Sequence, residues 1–310
     1  MIHTSTAVDN FYISDAAAEM TPSRLQNVDE LVEFTQRVYG SALIRSSCLL
    51  LQSSPAVMIT AQTLLHRFYS KKSMTEYDVV LVVVSSILLS CKLEEKERKL
   101  RSVMNAVRRA RERHERRPRS VMAINSEEYE NMKRDAKEME MVMLKEFGFF
   151  AHVTPPHPFA FELVTQLGLD QQLLRLSWVL CNDSAMTGLC VRFKPAMIAC
   201  GCIFLAARQL SRPLPLSPPW WRLVDGATQA DLEVIAKTIL TLRGLKKVEY
   251  VDLSRYQGSA SDKQRSSERG RIRESSRDAT RRRSRSHSRD NDRRVRRRDS
   301  RDYDRSRDRK

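Results

Sequence analysis

Apolar residues recur at helical spacing from about residue 28 to residue 250. No segment alternates convincingly in the manner of a strand flanked by hairpin turns. Residues 31–52 carry Leu31, Phe34, Val38, Leu43, Ile44, Leu49 and Leu50 at helical spacings, and Gly40 predicts a break among them. Ser54-Pro55 opens a second helix: a hydroxyl at the cap can accept from a first-turn N–H, and proline sits where its missing N–H costs nothing. Ser73-Met-Thr-Glu76 matches a capping box, which predicts a helix over 74–93. That stretch is apolar nearly all round and belongs at the centre of a bundle. Its β-branched run at 79–84 also suits a strand, but its length and cap favour helix.

A basic helix follows over 97–115, closed by Pro118. Asn125, with Glu128 three residues on, predicts the cap of a helix running to about Phe147, with Gly148 as its stop. Three prolines in HVTPPHP (152–158) read as a linker between domains. Beyond it, Asp170 caps 171–187, Pro195 opens a helix to about 210, and Thr228 caps a last one to about 243. The chain thus reads as all-α, in two groups of about five helices. Residues 1–27 read as a flexible arm, 28–150 as the first domain with a basic insert near 97–119, 151–158 as the linker, and 159–250 as the second domain.

From residue 251 the composition changes. The formal charge of the 310-residue chain is +16, and residues 255–310 carry 22 Lys/Arg against 10 Asp/Glu, a net of +12. Arg, Ser and Asp dominate this segment, so it has too little apolar surface to offset chain entropy and reads as disordered. The remaining residues are nearly neutral. The longest apolar run, 79–91, falls short of a bilayer span. The N-terminus has neither the basic nor the apolar region of a secretion signal. Cysteines 48, 91, 181, 190, 200 and 202 lie among apolar residues without a CxxC pair, as buried thiols in a reducing compartment do. No glycine-rich phosphate loop, GxSxG or HExxH is present, and the six histidines show no ligand spacing, so no metal or cofactor is expected.

Several segments carry a resemblance. LLHRFYSKKSM (64–74), SCKLEE (90–95), LKEFGF (144–149), HVTPPHP (152–158), SWVLCNDS, VRFKPAMIACGCIFLAAR and the WW…GAT segment resemble, in order, motifs of the cyclin family. With the Arg/Ser-rich tail they are similar to the cyclin L type, over about 30–250. The resemblance implies two tandem five-helix cyclin boxes and a disordered Arg/Ser-rich tail. It also implies a regulatory subunit, not an enzyme, that activates a cyclin-dependent kinase in transcription and pre-mRNA splicing. A PITSLRE-type kinase would be the partner, with splicing factors engaged through the tail and a location in the nucleus, in nuclear speckles. One departure stands out: the type's APRRIRD signature is replaced by KERKLRS.

The resemblance assigns kinase contact to Lys92 of SCKLEE and to Glu140, five residues before Lys145, with Glu95 able to join them. Glu94 is expected to face solvent or cap local structure. The bland readings are an end-of-helix lysine favoured by the helix dipole and a surface glutamate. Phe147, Phe149 and Phe150 are expected to pack in the core or linker, and one of Trp220 and Trp221 to pack in the second box. The basic helix (Arg101, Arg108, Arg109, Arg111, Arg113, Arg116, Arg117) offers charge for RNA phosphates but no aromatic ring to stack a base, so any RNA contact would be non-specific. In the tail, Arg281, Arg282 and Arg283 with Ser284, Ser286 and Ser288 form a partner-binding or RNA-binding run whose sign phosphorylation can change. Two other readings remain open: a transcription factor of the TFIIB kind, which uses cyclin-like repeats, and an Arg/Ser splicing adaptor that needs no kinase.

Overall fold

The computed structural model describes residues 11–120, 123, 126–215, 219–246 and 248–253, all within one unit that ends at Tyr256. Eleven α-helices form among the described residues. Two short ones, α1 (Asp15–Glu19) and α2 (Pro22–Leu25), precede the first group: α3 (Glu30–Leu50), α4 (Pro55–Lys71), α5 (Val79–Leu93), α6 (Leu100–His114) and α7 (Glu127–Glu146). The second group is α8 (His157–Gln166), α9 (Gln171–Ser184), α10 (Pro195–Gln209) and α11 (Gln229–Gly244). It is completed by 3-10 turns at Gly188–Val191 and Trp220–Leu223.

Each group closes on its own hydrophobic core. In the first, α5 is the central element, buried from Val79 to Cys91 save for Leu81, with Tyr39, Leu64, Phe68, Met104 and Met143 packed around it. In the second, α10 is central, packed by Leu180, Leu232, Ile235 and Trp220. The caps follow the side chains expected of them. Ser54 accepts from Val57, Asp170 from Leu173, and Thr228 forms a capping box with Asp231.

Several expectations are corrected. Gly40 does not split α3. A Cβ there would lie 2.9 Å from Val79 and 3.0 Å from Leu65, so the glycine lets the side chains of α5 and α4 pack directly against the backbone of α3. The cap at 73–76 is not used either. Ser73 turns its hydroxyl onto Thr75 and Glu76 accepts from Gln26, while Asp78 caps α5 through Val80 and Leu81. Ser126 caps α7, and Asn125 lies outside the described residues.

Residues 97–119 are not an insert. Val103, Met104, Val107 and Ala110 of α6 are buried against α3 and α5, making it the fourth helix of the first core. Nor are residues 11–27 a loose arm. Phe11 is buried under the Arg67 guanidinium, 4.2 Å from its ring centroid, and Ile13 N–H donates to Val191 O across to the second group. Residues 248–253 belong neither to the second domain nor to the tail, between which the sequence pattern divides them. They return to the first core, where Leu253 is buried.

Candidate functional site

Lys92 stands in the last turn of α5 and Glu140 in the second turn from the end of α7. The two helices are tied above them by Ser85, whose hydroxyl donates to Ala136 O at 3.1 Å, and by buried Met139 and Met143. This packing points both side chains to the same edge. Lys92 Nζ donates to Glu140 Oε1 at 2.5 Å. The lysine is 55 % exposed and the glutamate 15 %, so the pair sits at the rim with its ammonium facing solvent. In the free chain such a rim pair contributes no more than about 1 kcal/mol. Its value lies in a charged group held at a defined place. Leu93 and Met141, the next residue along each helix, are both exposed apolar side chains. Sequence reasoning missed both, although each is an apolar residue beside a predicted contact.

The chain beyond Lys92 is equally defined. Glu94 does not face solvent freely: its carboxylate accepts from Thr60 Oγ1 of α4 at 2.6 Å. Glu95 is exposed and holds a left-handed backbone, φ 53°. Its N–H reaches Lys92 O and that of Lys96 reaches Cys91 O, the double bond of a Schellman turn. Glycine usually fills that position, and a side chain there costs about 1 kcal/mol or more. Among the described residues no side-chain hydrogen bond or ion pair joins Glu95 to Lys92 or Glu140.

Other predicted residues separate. Phe147 is buried and Phe150 stacks on Phe11, but Phe149 is 66 % exposed at φ 59°, because Gly148 and Phe149 together turn the chain out of α7. Trp220 is buried, with Trp221 edge-on to it at 6.2 Å. The arginines of α6 are largely engaged by acids of the same region: Arg108 with Glu112 and Glu128, Arg109 with Glu112, and Arg111 and Arg117 with Glu115. Arg101, Arg113 and Arg116 are exposed without an ion pair among the described residues. The tail residues Arg281–Arg283, Ser284, Ser286 and Ser288 lie outside the described residues.

Chemistry by thiol or imidazole finds no support in the geometry. Burial pushes the Cys48 and Cys200 thiols up to about 12 and Cys190 to about 11. Among the described residues no group of three His, Cys, Asp or Glu could hold a metal ion, and no helix is long and apolar enough to cross a membrane. His66 is fully buried between the two groups. Burial, then the Arg37 charge, hold it down at about 3 despite its bond to Ala185 O at 3.2 Å. It is therefore a neutral donor joining the two cores.

Comparison with known proteins follows the same outline. Residues 9–150 match the family "Cyclin, N-terminal domain" and residues 156–242 the family "Cyclin-T2-like, C-terminal domain". Cyclin-L1-1 of Arabidopsis thaliana is 38 % identical over 248 residues, 80 % of this chain and 59 % of that protein. Human Cyclin-L2 is 34 % identical over 263 residues, 84 % of this chain and 50 % of that protein. The chain thus spans about half to three fifths of the length of these relatives. Among solved structures, the yeast RNA Pol II CTD kinase CTDK-1 complex contains a chain that superposes with a TM-score of 0.61 at 17 % identity, covering 81 % of this chain and 82 % of that one. That likeness concerns the fold. The chain belongs to the cyclin family and, within it, to the cyclin L type.

Proposed function

We propose that this chain is the regulatory subunit of a cyclin-dependent protein kinase and that the Lys92–Glu140 edge is where it engages the kinase. The observation that carries the reading is the ion pair itself, held across α5 and α7 with its lysine more than half exposed. A kinase becomes active when its catalytic Lys–Glu pair forms and its activation loop orders. A partner drives that change only by binding the active shape more tightly than the inactive one. A cation fixed at a defined place suits this, because the ammonium can serve backbone carbonyls of the kinase. Relatives of the cyclin L type and the fold shared with a chain of the CTDK-1 kinase complex support the reading. The finer assignment is a PITSLRE-type partner, with a role in transcription and splicing inside the nucleus, in speckles. It rests on the cyclin L type and on the Arg/Ser composition beyond residue 254.

The test is a pull-down and kinase assay with Lys92→Ala and Glu140→Ala. Once the kinase covers the pair, removing one member strands the other, at a cost of about 2–5 kcal/mol, or roughly 30- to several-thousand-fold in affinity. Both variants should remain helical by circular dichroism and fail to activate. Normal kinase binding by both would sink the assignment. Retention by DNA in place of a kinase would favour the TFIIB-like reading, and splicing proteins without a kinase would favour the adaptor.

A further inference from the structure

Residues 248–253 lie across α3, α5 and α6 with no helix and no strand ladder of their own. Side chains of the first core hold them. Gln36 donates its amide to Glu249 O at 2.8 Å and accepts from Val251 N–H at 3.2 Å. His114 donates to Val248 O at 2.6 Å. Tyr250 is the central anchor. Its ring stands 5.7 Å from that of Tyr39 and 4.9 Å from the Arg111 guanidinium, and its hydroxyl donates to Asp78 Oδ1 at 2.8 Å. The other oxygen of Asp78 caps α5.

The surroundings of that hydroxyl are already acidic. Asp78 and Asp252 act on it as anions and Arg111 as a cation, but Arg111 is itself engaged by Glu115 at 2.8 Å. A neutral phenol is welcome there as a donor, and a phosphate ester is not. The ester has no proton to give Asp78 and brings about −1.5 to −2 charges against it.

We propose that 248–253 is a releasable strap and that Tyr250 is a phosphorylation site whose modification releases it. A protein-tyrosine kinase would transfer the γ-phosphoryl group of ATP. The phenol gives its proton to the base of that kinase, the Oη–P bond forms, the β–γ bridging P–O bond breaks, and ADP leaves. The Asp78 bond is then lost and the two anions repel. The segment has no secondary structure to hold it once its anchor goes. Its departure uncovers Tyr39 and frees Gln36. Tyr250 is half-buried, so modification occurs when the segment opens locally. This is independent of whether Lys92 and Glu140 engage a kinase.

The experiment uses the full chain with ATP and a tyrosine kinase first shown to phosphorylate a synthetic peptide of residues 246–255, in which Tyr250 is the single tyrosine. Phosphosite mapping and amide exchange are read together. The expected result is modification of Tyr250 in the folded chain and exchange at Val251 faster by about tenfold or more, with the interior of α3 and α5 still protected. Asp78→Asn keeps a capping acceptor but removes the opposing charge, so phosphorylation should then accelerate exchange less. Tyr250→Phe should remain unmodified at 250. A Tyr250 that is modified only after denaturation, or one modified without any change in Val251 exchange, would overturn the proposal.

Discussion

At the scale of single residues the chain uses charge in two ways. The Lys92–Glu140 pair is open to water and offers a contact. The Glu33 carboxylate is 2 % exposed and holds the first core together. It accepts from Thr21 Oγ1 at 2.7 Å, from Arg37 at 2.7 and 3.0 Å and from Arg24 at 3.1 Å. Burial alone would raise its pKa, but Arg37, Thr21 and Arg24 together bring it below the ordinary 4.5. Glu33→Gln leaves the Arg37 guanidinium buried without a counter-charge, and a loss of about 3–5 kcal/mol is expected in urea unfolding. Lys92→Ala should change the same measurement by less than about 1 kcal/mol. The sequence shows Lys92 and Glu140 because both sit in recognisable motifs. It does not show the Glu33 cluster, because Thr21 and Arg24 come from a segment with no apolar period, and only folding brings them over α3.

At the scale of elements the clearest case is α6. Its arginines give it the look of an appended charged segment, yet every third or fourth position is apolar and buried. Met104→Ala should therefore destabilise the fold by about 2–5 kcal/mol, as truncation of a buried methionine does. Arg113→Gln, at an exposed position without an ion pair among the described residues, should leave the thermal midpoint within about a degree or two. Comparable losses in the two variants would show that α6 is held by charge and not by its apolar stripe. Helix ends are harder to place from sequence than helices. Ser73 and Asp78 are both good caps, and local sequence does not say which hydroxyl or carboxylate is drawn into a turn by distant partners such as Gln26.

At the scale of the whole molecule the two cores are joined through His66 and the 11–13 segment, and residues 248–253 return to the first core. His66 gives this junction a pH dependence. Its folded pKa of about 3 lies below the ordinary 6.5, so as pH falls below 6.5 the unfolded chain takes up a proton that the folded chain refuses. Stability from this group is full above about 6.5 and is lost progressively as the pH falls toward the folded value. His157, lowered by burial, acts in the same direction. Glu33 adds a further loss below about 4.5. Thermal midpoints should therefore fall steadily from pH 7 to 4, and a His66→Gln variant should show a flatter profile. The strap provides a second check. Trypsin should remove the arginine-rich residues beyond Leu253 and leave the folded part. Chains ending at 256 should melt several degrees above chains ending at 246, because the latter lose Tyr250 and Leu253 from the first core. Equal midpoints would mean that the strap contributes nothing to the fold.

The sequence by itself determined the helical class, most helix starts, the central place of α5, and the motif residues at one edge of the first core. It did so because apolar period, caps and prolines act over a few residues and need no distant partner. Tertiary structure alone decided that Gly40 lies inside a helix, that α6 and residues 11–27 belong to the core, and that 248–253 cross back to it. In each case the deciding contact joins residues far apart in the chain: Gly40 with Val79, Phe11 with Arg67, and Gln36 with Glu249, 213 positions away. Local pattern can show that a residue is apolar, but not which distant residue it will meet.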